Sequence, residues 1–111
     1  MEILRKSKEE LTAREQYKLT KNKKAISVKD AVGMQIKVNL WCQYKDQNQK
    51  GENVTVLAIM ADDGEVYTTV SEVFTRSFFD FVDTFGDDLP EVVIIDGTTK
   101  SGRTYYDCTI E

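Results

Sequence analysis

The chain has no histidine, and only two cysteines among its 111 residues. Without imidazole, and with Cys42 and Cys108 far apart, a zinc site built from nitrogen and thiolate ligands is not available. A serine or cysteine nucleophile likewise lacks its usual base. Both cysteines fall where alternation points inward, which predicts reduced packing residues rather than a disulfide. No run approaches the eighteen or more apolar residues of a membrane span, and the opening Met-Glu-Ile-Leu-Arg-Lys-Ser-Lys has no apolar signal-peptide region. Together these absences predict a cytoplasmic protein with no membrane association, no metal, no cofactor and no catalytic activity.

Against this stand 41% hydrophobic and 31% charged residues, enough for one domain with its own core. The net charge of -4 hides a polarity. Residues 1–50 hold 12 Lys and Arg against 6 Asp and Glu, and residues 51–111 hold 3 against 13. Such a chain presents a basic side and an acidic side, so its acidic total does not exclude an anionic partner.

The strongest periodic signal lies in residues 70–86. From Phe74, apolar residues return at Phe78, Phe81, Val82 and Phe85, one continuous helical stripe. Ser71 is placed to cap its start and Gly86 to end it in a left-handed turn. Three strand-like runs precede this helix and two follow it. That order is the order of the OB-fold, a five-stranded Greek-key barrel with one helix between strands three and four. The fold expected is therefore mainly β: an OB-like barrel over residues 26–111, preceded by a basic, partly helical N-terminal arm over residues 1–25.

In the arm, Ser7-Lys-Glu-Glu10 and Thr12-Ala-Arg-Glu15 are two overlapping capping boxes, and the second opens a short helix through Tyr17 to Leu19. Lys18, Lys21, Lys23 and Lys24 follow with almost nothing to bury, either as a solvated tail or as an arm that tracks a phosphate backbone. Residues 34–44 alternate, with Met34, Ile36, Val38, Leu40, Cys42 and Tyr44 on one face and Gln35, Lys37, Asn39, Trp41 and Gln43 on the other. Residues 45–52 form a polar, flexible loop. Residues 53–61 are apolar on both faces, as a central strand should be, and Asp63-Gly64 turns the chain into residues 65–70. After Pro90, residues 91–96 predict a fully buried strand. Residues 97–102 make a glycine-bounded hairpin loop, and residues 103–110 the closing strand.

Two loops would flank a ligand on such a barrel: residues 45–52 with Lys45 and Lys50, and residues 96–102 with Lys100, followed by Arg103. Trp41 and Tyr105 lie on the polar sides of their strands, next to Lys37 and Arg103. Aromatic platforms interleaved with positive charge suit single-stranded nucleic acid, because every base has a face to stack and every nucleotide a phosphate to neutralise. Tyr67 is a third aromatic candidate. The bland alternative is that Trp41 packs under the N-terminal arm or in a subunit interface and that Tyr105 pairs across strands. Asp80, Asp83, Asp87 and Asp88 fall on a helix side and its C-terminal turn, where a solvated face is expected rather than a metal or acid-base site.

Several stretches resemble the small single-stranded DNA-binding proteins encoded by tailed phages of Gram-positive bacteria. They are Leu11-Thr12, Glu15-Gln-Tyr-Lys-Leu-Thr20, Asp30-Ala-Val-Gly33, Gly64-Glu-Val-Tyr67, Phe74-Thr-Arg-Ser-Phe-Phe79 and Gly97-Thr-Thr-Lys-Ser-Gly-Arg103. The resemblance implies an OB-like barrel that coats displaced single-stranded DNA during phage replication, without catalysis. Self-association and contacts with replication proteins are compatible with that role. The alternative kept open is a phage accessory or inhibitor protein that acts as a protein-interaction module without nucleic-acid binding.

Overall fold

The computed structural model describes residues 1–110, in the order β1 (Glu2–Lys6), α1 (Ala13–Thr20), β2 (Ile26–Ser27), β3 (Gln35–Ile36), β4 (Val38–Gln47), β5 (Asn53–Ala61), β6 (Val66–Thr69), α2 (Glu72–Phe85), β7 (Val92–Thr98) and β8 (Thr104–Ile110). The protein is mainly β, as expected, but the strands form two sheets rather than one closed barrel. One sheet runs β1-β4-β5-β6-β2 and the other β3-β7-β8.

The expected single barrel fails at two seams, each with a local cause. The first expected strand, residues 34–44, divides at Lys37. Its start, β3, pairs with β7 through Gln35 opposite Val93 and Ile36 opposite Val92. Its continuation, β4, pairs with β5, with a register shift between Val38 and Leu40. A one-residue irregularity exchanges the faces of everything beyond it. At the second seam, no ladder joins β6 to β8 among the described residues. The Ser71 hydroxyl instead donates to the Tyr106 carbonyl at 3.1 Å, and α2 packs along β8.

α2 forms where its period places it. The Ser71 hydroxyl accepts from the Phe74 N–H at 3.2 Å, and Gly86 ends the helix at φ 56°, where a side chain would be strained. Phe74 and Phe78 are completely buried between the sheets, among Leu57, Ile59, Val92 and Ile94. Each such ring contributes about 1.5–3 kcal/mol by leaving water.

Residues 1–25 differ from a solvated arm. β1 lies antiparallel on β4, with Ile3 opposite Tyr44 and Arg5 opposite Gln43. The Trp41 N–H donates to the Ser7 hydroxyl at 3.0 Å, and the Ser7 N–H to the Trp41 carbonyl at 2.9 Å. Thr12 and Glu15 close the expected capping box: the Glu15 N–H reaches the Thr12 hydroxyl at 3.1 Å, and the Thr12 N–H reaches the Glu15 carboxylate at 2.8 Å. The Lys8 ammonium, and then the Thr12 N–H, hold the Glu15 carboxyl below the usual carboxylate range. Leu19 of α1 is buried against Cys42, Tyr44 and Ala58 on the β4 face opposite α2. β4 is thus covered on both faces. Cys42 and Cys108 are free thiols, one in each core.

Two smaller expectations also change. Residues 45–52 are less of a loop than their polarity suggests, because β4 runs on to Gln47 and the Asn48 side chain accepts from the Lys50 and Glu52 N–H groups at 2.9 and 3.0 Å. β7 is not fully buried: Val92 and Ile94 face the core, but Val93 is half-buried and Ile95 exposed. Among the described residues, no element covers the outer face of this sheet.

Candidate nucleic-acid interface

All five cations expected at a binding surface are exposed. Lys37 stands at the break between β3 and β4, its Nζ 3.6 Å from an Asp62 carboxylate oxygen. Lys45 lies near the far end of β4, and Lys50 in the turn tied by Asn48. Lys100 and Arg103 occupy the β7–β8 turn, which is closed by the Thr99 N–H on the Arg103 carbonyl at 2.8 Å and the Arg103 N–H on the Thr99 hydroxyl at 3.1 Å. These residues fall on separate elements of the two sheets. β7 runs antiparallel to β3, while β4 leaves the Lys37 junction in the other sheet. The ten residues of β4 alone span roughly 33 Å of extended chain. Lys45 and Lys50 belong to the β4–β5 hairpin of the first sheet, and Lys100 and Arg103 to the β7–β8 hairpin of the second.

The aromatics separate. Trp41 is 7% exposed, which overturns its expected place on an open face. The register shift ahead of it turns the indole toward α2, where it meets Phe78 edge-on at 5.9 Å and Phe79 at 5.3 Å between ring centroids. The Arg5 guanidinium closes the remaining side, 4.2 Å from the Phe79 centroid and 5.6 Å from that of Trp41. Asp83 anchors Arg5 at 3.1 Å. Tyr67 is also corrected to the interior, at 3% exposure, because β6 lies between β5 and β2 and its inner face adjoins the same core. Burial, and then the charges of Asp63 and Glu65, push its hydroxyl pKa up. Tyr105 is 39% exposed. It sits opposite Gly97, and its ring fills the position that a Cβ on Gly97 would take, so the ring lies against bare backbone beside solvent. Arg103 lies two residues before it, in the β7–β8 turn.

Sequence reasoning missed one exposed ring. Tyr17, on α1, is 59% exposed, with Arg14 three residues before it and Lys21 four after. Once the capping box fixes the helical phase, that spacing places all three on one side. Lys21 also lies 3.9 Å from an Asp46 carboxylate oxygen. A groove of about 310 Å³ runs past Tyr17 and Lys21 to Met1. A second, of about 480 Å³, is lined by Met1, Lys45, Gln47, Asn53 and Thr55. A third, of about 620 Å³, lies between Gln43, Thr55 and Arg76.

The acidic corner carries no comparable assembly. Asp80, Asp83, Asp87 and Asp88 are exposed, and Asp83 is engaged by Arg5. Among the described residues no three potential metal ligands converge. Burial pushes the Cys42 thiol up to about 11 and, with a smaller contribution from Asp107, the Cys108 thiol up to about 12. Both stay protonated near neutrality, and neither is poised as a nucleophile.

A family model described as phage single-stranded DNA-binding protein matches residues 11–111. That span takes in every element except β1. No curated protein and no solved structure matches the chain.

Proposed function

The chain belongs to the phage single-stranded DNA-binding protein family, and on that premise we propose that it coats single-stranded DNA during phage DNA replication without catalysing a reaction. The observation that carries this is the state of its cations. Lys45, Lys50, Lys100 and Arg103 are exposed, and among the described residues none of them has a carboxylate within ion-pair distance. Cations without a partner can neutralise phosphate without first giving up an ion pair. Lys37 exchanges a weak, exposed pair with Asp62 for the same purpose.

Stacking falls to Tyr105, beside Arg103. Trp41 and Tyr67 could stack only if the cover over them opened, so their part is to hold the core that presents the cations. We read the two sheets as an opened OB-like barrel. Support comes from the 35–47 segment, which joins β7 at its start and β5 along its length, and from α2 lying between β6 and β7 in the chain. In this role the protein works in the host cytoplasm, as several copies along one strand beside replication proteins.

A gel-shift comparison of mixed-sequence single-stranded DNA, duplex DNA and RNA tests the reading. The expected outcome is a preference for single-stranded DNA that declines with salt. No complex with any of the three at low salt would contradict it, and would favour the protein-interaction alternative.

A further inference from the structure

We propose that the outer face of α1 is a second contact for single-stranded DNA, in which Tyr17 stacks a base and Arg14, Lys18 and Lys21 hold the flanking phosphates. The inference rests on the single-strand-binding reading above and extends it to a site on the opposite side of β4 from α2.

Three independent observations converge on it. First, Tyr17 is an exposed aromatic on a helix whose start is fixed by a complete capping box, and whose inner side is pinned by buried Leu19. The ring is thus offered from a rigid element rather than a loop, which limits the ordering cost of stacking on it. Second, Arg14 and Lys21 lie one turn to either side, with Lys18 adjacent. No carboxylate pairs with Arg14 or Lys18 among the described residues, and Lys21 has only a long contact to Asp46. This is the arrangement that sequence-tolerant binding of single strands requires, a π-face for any base with phosphate partners alongside. Third, Met1 lines both the groove beside Tyr17 and the groove beside Lys45, so the two lie next to one another. α1 belongs to residues 1–50, which hold 12 Lys and Arg against 6 Asp and Glu.

The experiment compares the full chain with Tyr17→Leu, Tyr17→Trp and the pair Arg14→Gln, Lys18→Gln, using anisotropy of a labelled mixed-sequence oligonucleotide over a range of salt. Thermal unfolding of each variant checks that the fold is kept. Tyr17→Leu is expected to weaken binding roughly 5- to 150-fold, the loss of one stacked base. Tyr17→Trp should keep the affinity, and its new exposed indole should be quenched by DNA. The double charge variant should lower the salt slope by about 0.7 for each phosphate that is no longer neutralised. If the parent protein binds but Tyr17→Leu binds equally well and the tryptophan at 17 is not quenched, the α1 site is wrong and the single-strand reading stands. If the parent protein does not bind at all, both fall together.

Discussion

β4 and β8 carry the same pattern in sequence and opposite outcomes in the fold. Each alternates, and each places an aromatic among polar residues near a cation, Trp41 after Lys37 and Tyr105 after Arg103. Yet Trp41 is sealed, while Tyr105 is open on one side. The difference lies in what surrounds the strand. β4 is interior to a five-stranded sheet with a helix on each face, whereas β8 ends a three-stranded sheet whose outer face no element among the described residues covers. Alternation says which residues share a face, but not whether another element will cover it.

The comparison can be broken most sharply by truncating each ring in turn. Trp41→Ala removes the indole that Phe78, Phe79 and Arg5 enclose, and should cost about 3–5 kcal/mol in urea unfolding. A loss below about 1 kcal/mol would mean that Trp41 is a surface residue after all. Tyr105→Ala should leave unfolding within about 1 kcal/mol of the parent and weaken single-strand binding about 5- to 150-fold. The reverse pairing of effects would exchange the roles assigned to the two strands.

A finer test acts beneath Tyr105. Gly97→Ala puts a methyl group where the ring lies, so the ring must swing away, at a cost of about 1 kcal/mol. Altered Tyr105 ring shifts in NMR spectra, with the β4 resonances unchanged, are the expected signature. Unmoved ring shifts would mean that the ring does not rest on Gly97.

The smallest effect is expected from pH in the neutral range. The folded pKa values of Cys42, Cys108 and Tyr44 are all raised by burial, to about 11, 12 and 12. A raised folded pKa means that the native state holds its proton more tightly. The associated stability is therefore fully present below the unfolded values, 9.0 for the thiols and 10.0 for the phenol, and is lost as pH rises through the folded ones. Stability from these groups should be flat from about pH 6 to 8 and decline above about 9. Rapid reaction of either thiol with a thiol reagent at neutral pH, in the folded protein, would show that its cover is loose.

Much of the fold was legible because its signals are local. The Ser71 cap, the Phe stripe and Gly86 defined α2, and Thr12 with Glu15 defined the start of α1. The runs at 53–61 and 103–110 read as strands from alternation or apolar density alone. β1 was not legible, since Glu2–Lys6 has no clean period and acquires its conformation from the free edge of β4. The burial of Trp41 depended on a register shift between Val38 and Leu40, which alternation cannot announce. Of the candidate site, the five cations were found on the surface, since long charged side chains are rarely buried whatever the fold. Two of the three aromatics were not, because their exposure depends on layers formed by distant parts of the chain. Tyr17 becomes legible only once the side of α1 that Leu19 buries is known, since its spacing from Arg14 and Lys21 shows a shared side and not an exposed one.

The most direct test of single-strand coating by surface cations is an equilibrium titration of a mixed-sequence oligonucleotide at several salt concentrations, with Trp41 emission recorded alongside anisotropy. The account predicts a complex whose log affinity falls linearly with log salt, by about 0.7 per phosphate neutralised, while the sealed indole is not directly quenched. No complex at low salt, or binding that is indifferent to salt and tracks strong Trp41 quenching, would contradict it.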